Sequence, residues 1–329
     1  MNAPDPVLPE EQLQQARQLL AALRAEMAKA VIGQQAVVDQ LLIALLADAH
    51  VLIEGVPGLG KTLLVKALAR TFGGETRRIQ FTPDLMPSDV VGHTLFDAAT
   101  ARFVTRRGPV FTHLLLADEI NRAPAKTQSA LLEAMQEKQV TLDGTAAAMA
   151  RPFMVLATQN PIEQEGTYPL PEAQLDRFLL KIRIDYPSEA EEIALTRQVT
   201  QAKTGADLDV EAVATLIQPE TVVGLQQSAA HVTLDERVTA YAVAIARGSR
   251  ETPGLASGAG PRGAIALVRA ARARALIAGR GFVTPDDIKA IALPALRHRV
   301  TPAAEAEIEG LGADDLLRAL LERVPAPRI

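Results

Sequence analysis

Residues 55–62 read Gly55-Val56-Pro57-Gly58-Leu59-Gly60-Lys61-Thr62 and satisfy G-x-x-x-x-G-K-[ST] at every fixed position. That spacing sets a local shape and a chemistry together. Glycines let the backbone wrap closely, so that successive N–H groups point inward at an anion. The lysine reaches β- and γ-phosphate oxygens, and the hydroxyl after it ligates Mg²⁺. The flanks agree. Val51-Leu52-Ile53 is a short apolar run, and residues 62–70 continue as a helix former, which places a phosphate chain at a helix N-terminus. A nucleoside triphosphate is therefore expected against Gly55, Val56, Pro57, Gly58, Leu59, Gly60, Lys61, Thr62 and Leu63.

A chain of 329 residues with 48% apolar content can bury two domain cores. Its 34 basic and 39 acidic residues leave a net charge of −5, which advertises neither nucleic acid nor an acidic membrane as a partner. With no cysteine, disulfides, thiolate nucleophiles and Cys-based zinc sites are excluded. The first residues lack the basic-then-apolar order of a signal peptide. No apolar run approaches the ~18–20 residues of a spanning helix. The expectation is a soluble, cytoplasmic protein without membrane insertion.

Three prolines fall in the first nine residues, which read as disordered. Residues 10–30 place Leu13, Ala16, Leu20, Leu23 and Met27 at helical spacing, and a second helix follows from Gln34. Strand-length runs then recur at 50–54, 76–81, 113–117, 153–158 and 178–184, separated by helical or loop material. Apolar strands alternating with helices indicate a parallel sheet covered on both faces. After Tyr186-Pro187-Ser188 only helices are expected, at 189–200, 210–216, 234–247, 263–278 and 286–292, the last capped by Thr284 with Pro285 in its first turn. The expected divisions are an N-terminal tail and helix (1–30), an α/β nucleotide-binding domain (31–187) and an all-helical domain (188–329).

The run Leu114-Leu115-Leu116-Ala117 ends in Asp118-Glu119. An apolar strand ending in adjacent acids suits the Mg²⁺ side of an ATPase site, with Asp118 on the metal and Glu119 polarising the attacking water. A kinase needs no such water-activating base, and no N-K-x-D element marks a guanine site. Asn160, in Thr158-Gln159-Asn160-Pro161, ends the strand beside it, from where its amide could reach the γ-phosphate and the water, although an Asn before Pro is also an ordinary turn residue. Arg177, in Leu175-Asp176-Arg177-Phe178, and Arg262, in Gly260-Pro261-Arg262-Gly263, read on their own as surface ion-pair residues.

Taken together these elements resemble an AAA+ ATPase. More narrowly, Gln80-Phe81-Thr82-Pro83-Asp84-Leu85-Met86-Pro87-Ser88-Asp89, Asp118-Glu119-Ile120-Asn121-Arg122-Ala123, Ala157-Thr158-Gln159-Asn160-Pro161, Glu172-Ala173-Gln174-Leu175-Asp176-Arg177-Phe178 and Leu296-Arg297-His298-Arg299 resemble the MoxR family. The resemblance covers roughly residues 30–320. It implies a five-stranded parallel core in the order 5-1-4-3-2 with a helix-2 insert and a hairpin before the sensor-1 strand, followed by a helical lid. It also implies sensor 1 for Asn160, an arginine finger for Arg177, sensor 2 for Arg262, and an adenine-flanking segment at Val31-Ile32-Gly33-Gln34, with Ile32 and Gly33 against the base. Implied cofactors are ATP and Mg²⁺. Implied partners are a homo-hexameric ring, a protein with a von Willebrand factor A domain, and a protein client to be remodelled or loaded with a metal or cofactor.

Within that resemblance, residues 92–110 read as a hairpin interrupting a helix. Residues 138–151 read as a second hairpin turning at Asp143-Gly144, where both positions tolerate positive φ. In a ring both would lie near the pore or the partner face. The five histidines show no metal-ligand spacing, and Arg262, Arg269, Arg272, Arg274 and Arg280 read as a solvated or intersubunit face. A nucleic-acid motor of helicase or restriction type is the alternative. It is disfavoured by the negative charge and by an expectation that the hairpins lack interleaved cations and aromatics.

Overall fold

The computed structural model describes residues 8–56, 58–160, 166–200 and 210–328. Pro57, Pro161 and residues 1–7 lie outside the described residues. Two helices, α1 (Glu10–Met27) and α2 (Gln35–Leu46), lead into β1 (Val51–Glu54), α3 (Lys61–Thr71), β2 (Thr76–Gln80), α4 (Pro87–Val91), β3 (Gly92–Asp97), β4 (Arg102–Arg107) and β5 (Leu114–Asp118). There follow α5 (Ala125–Glu137), β6 (Gln139–Leu142), β7 (Thr145–Ala148), β8 (Met154–Gln159), α6 (Glu172–Leu175) and β9 (Leu180–Arg183).

Five strands form one parallel sheet in the order β2-β5-β8-β1-β9, the expected 5-1-4-3-2 read from its other edge. The three central strands are apolar on both faces, and their period of two sorts side chains between two cores. Val51, Ile53, Leu114, Leu116, Met154 and Leu156 face a cluster shared with α1, α2, α3 and the C-terminal helices. Leu52, Leu115, Ala117, Val155 and Ala157 face a second cluster with Leu131, Leu132 and Met135 of α5. The strand at 76–80 departs from the expected apolar run: Arg77 and Arg78 are exposed and only Ile79 is buried, because β2 is an edge.

The C-terminal part comprises α7 (Glu189–Thr200), α8 (Pro219–Ala230), α9 (Glu236–Gly248), β10 (Leu255–Ser257), α10 (Pro261–Ile277), α11 (Pro285–Leu296), β11 (Thr301–Pro302), α12 (Ala304–Ile308) and α13 (Ala313–Arg323). Its described residues are mainly helical, with one antiparallel pair, β10–β11, and a single parallel bridge between Thr233 and Phe282. The helix expected at 210–216 is absent. That stretch makes a single turn, Val213 N–H donating to Val210 O at 3.0 Å, and then passes the end of α3, where Leu216 N–H donates to Thr71 O at 2.8 Å; the helix forms instead from Pro219, which occupies its first turn. Nor are all the arginines of this region a solvated face. Arg274 and Arg280 both bind Asp287, which is wholly buried, and Arg280 does so through two 2.6 Å bonds.

Both hairpins form. Asp143 (φ +46) and Gly144 (φ +79) make the turn between β6 and β7. The first hairpin, β3–β4, follows the five-residue α4, but no helix resumes after it; residues 108–113 lead straight into β5. It is also richer than expected in exposed cations and rings. Phe96 and Phe103 pair edge to face at 5.4 Å on a ribbon that carries exposed Arg102, Arg106 and Arg107.

Candidate functional site

Parallel strands bring their carboxyl ends to one edge, and the order β5-β8-β1 gathers three strand tips there. The loop after β1 contains Gly58 at φ +87 and Gly60 at φ +74, conformations that L side chains rarely adopt. A Cβ built on either would have no heavy atom within 4 Å, so open space lies over this backbone. Gly60 caps α3, so the loop presents a helix N-terminus to that space. Lys61 folds back, its Nζ donating to Gly55 O at 2.5 Å. Burial lowers the Lys61 pKa from its ordinary value, and the carboxylates of Asp118 and Glu119 oppose that shift.

Beside the loop, Gln34 Nε2 donates to Leu59 O at 3.3 Å. Gly33 lies against α7 so closely that a Cβ would come within 2.5 Å of the Glu191 side chain. Ile32 and Gly33 thus lie between the phosphate loop and the first helix of the C-terminal part.

Asp118 ends β5, and Glu119 follows with φ +56, ψ 50. A left-handed non-glycine residue costs of order 1–3 kcal/mol and must be held by its surroundings. The holding contacts are visible. Glu119 N–H donates to Thr158 Oγ1 at 2.9 Å, and Glu119 Oε2 accepts from Gln80 Nε2 at 2.7 Å and from Arg122 Nη1 at 3.1 Å. Asp118 accepts from Thr158 Oγ1 and from Arg78 Nη2, each at 2.6 Å. Asn160 closes the arrangement at the tip of β8, with 8% of its surface exposed.

Sequence reading gave Gln80, Arg78 and Thr158 no role. The signal was positional: Gln80 pairs with Asp118 in the β2–β5 register, and Thr158 stands on the strand between the two halves of the site. The donor set suits a magnesium-bound triphosphate, with backbone amides, a lysine, a hydroxyl at Thr62 and a carboxylate at Asp118. Among the described residues no group of three or more His, Cys, Asp or Glu could hold a metal by itself.

Arg177 and Arg262 are elsewhere. β9 runs parallel to β1 with Leu180 level with Val51, so Arg177, just before β9, lies at the amino end of the pair while the phosphate loop leaves its carboxyl end. The Arg177 guanidinium is engaged with α5, donating to Leu132 O at 3.2 Å and to Gln136 Oε1. Arg262, at the start of α10, stands 3.9 Å from Asp176 Oδ2. Both arginines line a cavity of about 400 Å³ with Lys138, Asp176, Arg269 and Arg299, and no described residue of the phosphate loop reaches it.

A parallel sheet in this order, a phosphate loop after its first strand, an acidic pair at the tip of the next but one and a helical lid define an AAA+ ATPase architecture. Residues 50–180 match the ATPase family associated with various cellular activities, and residues 247–320 match the AAA lid domain. The chain is 41% identical to the chaperone MoxR1 of Mycobacterium tuberculosis, over 92% of this chain and 81% of that one. It is 46% identical to the uncharacterized protein YeaC of Bacillus subtilis, covering 91% and 92%. It is 33% identical to the protein MoxR of Methylorubrum extorquens, covering 94% and 96%. The crystal structure of a putative ATPase from Cytophaga hutchinsonii superposes with a TM-score of 0.89 at 40% identity, over 97% of this chain and 98% of that one. The chain belongs to the MoxR family of AAA+ ATPases. No helix among its described residues is long and apolar enough to cross a membrane.

Proposed function

We propose that this protein hydrolyses ATP at sites shared between neighbouring subunits of a ring, a hexamer, and uses the cycle to remodel or assemble a protein client. The observation that carries the reading is the separation just described. Lys61, Asp118, Glu119 and Asn160 converge on one face, while Arg177 and Arg262 lie at the opposite end of the β1–β9 pair. An arginine finger added to the loop lysine accelerates phosphoryl transfer by ~10³-fold or more, and Arg177 is turned to α5, away from the loop of its own chain. A second copy supplies the finger if its Arg177 face meets this phosphate loop.

In this reading the loop amides and Lys61 bind the phosphates, and Ile32 and Gly33 flank the base. Bound through Thr62 and Asp118, Mg²⁺ would neutralise charge on the β- and γ-phosphates. Glu119, aimed by Gln80 and by its own left-handed backbone, accepts a proton from the attacking water, and Asn160 orients that water against the γ-phosphate. Arg177 of the adjoining subunit offsets charge that develops on the transferred group, with Arg262 beside it. A relative named chaperone, the net charge of −5 and two hairpins standing off the sheet support a protein client; a partner with a von Willebrand factor A domain, in the cytoplasm, is what the family resemblance implies.

Mixing tests the composite site. Arg177→Ala and Glu119→Gln are each expected to be inactive, yet a mixed ring contains interfaces with an intact Lys61, Asp118 and Glu119 on one side and an intact Arg177 on the other. Part of the wild-type rate should return. With subunit exchange shown by energy transfer, zero activity at every ratio would overturn the reading. Stimulation of hydrolysis by single-stranded DNA and not by protein partners would point to the nucleic-acid motor instead.

A further inference from the structure

Arg299 leaves the end of α11 and buries its guanidinium, with 4% of the side chain exposed, against the segment that carries Arg177. Its Nε donates to Asp176 Oδ1 at 2.7 Å. Its Nη2 donates to Asp176 O at 3.2 Å and to Phe178 O at 2.6 Å, and Nη1 donates to Leu179 O at 3.1 Å. Nη1 also meets Ala295 O of α11 and lies 2.7 Å from His298 Nε2. The backbone carbonyls on both sides of Arg177 therefore converge on one cation from the lid.

Nothing about chain packing requires this. Burying an arginine is costly unless its charge is paired and its donors are filled, and a joint with no further task can be built from apolar residues at both positions of such a pair. A guanidinium is the group that can hold one carboxylate and several carbonyls in a fixed plane. Asp176 extends the chain of contacts, because its other oxygen, Oδ2, faces Arg262 Nη1 at 3.9 Å. Arg177 and Arg262 both lie on the same cavity as this pair.

We propose that Arg299, acting through Asp176, is a positioning residue for the composite site. It fixes the backbone around Arg177 and, by the shared carboxylate, ties Arg262 to it, so that the two arginines reach a neighbour's γ-phosphate as one unit. The inference rests on Arg177 serving the neighbouring subunit. It makes the lid of one subunit a determinant of the hydrolysis rate in the next.

The test uses the full-length assembled protein with Arg299→Lys, which keeps the charge and loses the fork, and Asp176→Asn, which keeps the shape and loses the charge. Displacement of a catalytic group by about 1 Å can cost ~10²-fold, so turnover should fall by up to that factor. Affinity for a fluorescent ATP analogue in the variant's own phosphate loop, and KM, should change less than twofold, as roughly expected for a lesion in transition-state contacts alone. Each variant, mixed with Glu119→Gln, should regain activity as Arg177→Ala does; mixed with Arg177→Ala it should not, since both lesions then lie on the same side of every interface. Undiminished turnover, weakened nucleotide binding, or failure to complement Glu119→Gln while Arg177→Ala succeeds would each overturn the proposal. Failure of the Arg177→Ala and Glu119→Gln pair itself would instead bring down the finger reading on which it rests. If Arg299→Lys does not fold, Asp176→Asn decides by the same measurements.

Discussion

Thr158 is joined to Asp118 by a 2.6 Å hydrogen bond, and the same hydroxyl accepts the backbone N–H of Glu119 at 2.9 Å. One side chain on β8 thus sets both acidic residues at the tip of β5. Thr158→Val keeps the shape and removes this bridge, leaving a donor and an acceptor unmatched at a fully buried position. The expected cost is about 1–3 kcal/mol in chemical denaturation. Turnover should fall more than nucleotide affinity, because the loop amides and Lys61 are untouched. Thr158→Ser should restore most of both. Equal kcat for the valine variant and wild type would contradict the assignment.

Lys61→Ala and Glu119→Gln should fail differently. The lysine at the phosphate loop feels both Asp118 and Glu119, and its loss removes a charge aimed at the β- and γ-oxygens. ATP binding should drop below detection in calorimetry. Glu119→Gln preserves the shape that Gln80 holds, so binding should persist while steady-state hydrolysis stops. Equal ATP affinity for Lys61→Ala and wild type would remove the phosphate loop from its proposed role.

The loop after β1 was legible because its left-handed turns require glycine at fixed spacing, and the central strands were legible because burial on both faces keeps their middles apolar. What escaped the sequence depends on neighbours distant in the chain. Arg77 and Arg78 look wrong for a strand until β2 proves to be an edge. Thr158, Gln80 and Arg299 acquire partners 39, 39 and 123 residues away, and no local pattern reports such separations. Residues 210–216 had helical composition, yet Ala214 N–H donates to Glu26 Oε2 of α1 and Leu216 N–H to Thr71 O of α3, and a proline start draws the helix to 219. Arg274 and Arg280 looked like a surface run because Asp287, which they enclose, belongs to the next helix.

Assembly should control activity. If sites form between copies, ATP turnover per subunit should rise with protein concentration from nanomolar upward, in parallel with a rise in mass by light scattering or mass photometry. ATP should shift both curves to lower concentration, since a ligand bound at the interface stabilises it. Constant turnover with a monomeric mass throughout would exclude the composite site.

The lid should depend on Asp287. Its carboxylate is fully buried and held by Arg274, Arg280 and the Thr284 cap. Asp287→Asn leaves two partly exposed arginines without their counter-charge, and losing charge-assisted bonds of this kind costs about 1.5–3 kcal/mol. A lower thermal midpoint with weakened packing of α10 on α11, read by hydrogen exchange, is the expected result. An unchanged midpoint would mean that the arginines find other partners.

Mild acid should destabilise the protein through His50. Its Nδ1 accepts Val155 N–H at 3.0 Å, so the remaining proton sits on Nε2 and points to Met135 O at 3.1 Å. Burial lowers this pKa to about 4 from an ordinary 6.5; Lys138 and Arg269 add to the effect, and the Met135 carbonyl and Asp48 oppose it. The fold therefore favours the neutral ring. Above pH 6.5 folded and unfolded chains both carry it neutral, and stability is complete. Between 6.5 and about 4 the unfolded chain takes up a proton that the folded chain refuses, so stability is lost as pH falls, by about 3 kcal/mol across that window. His298, buried and also lowered by desolvation and by Arg299, acts in the same direction. His50→Gln keeps a donor toward Met135 and cannot titrate. It should be less stable than wild type at pH 8, where the Val155 bond is lost, yet show a shallower decline in thermal midpoint from pH 6.5 to 4. An acid slope as steep as that of the wild type would show that the buried ring is not the group responsible.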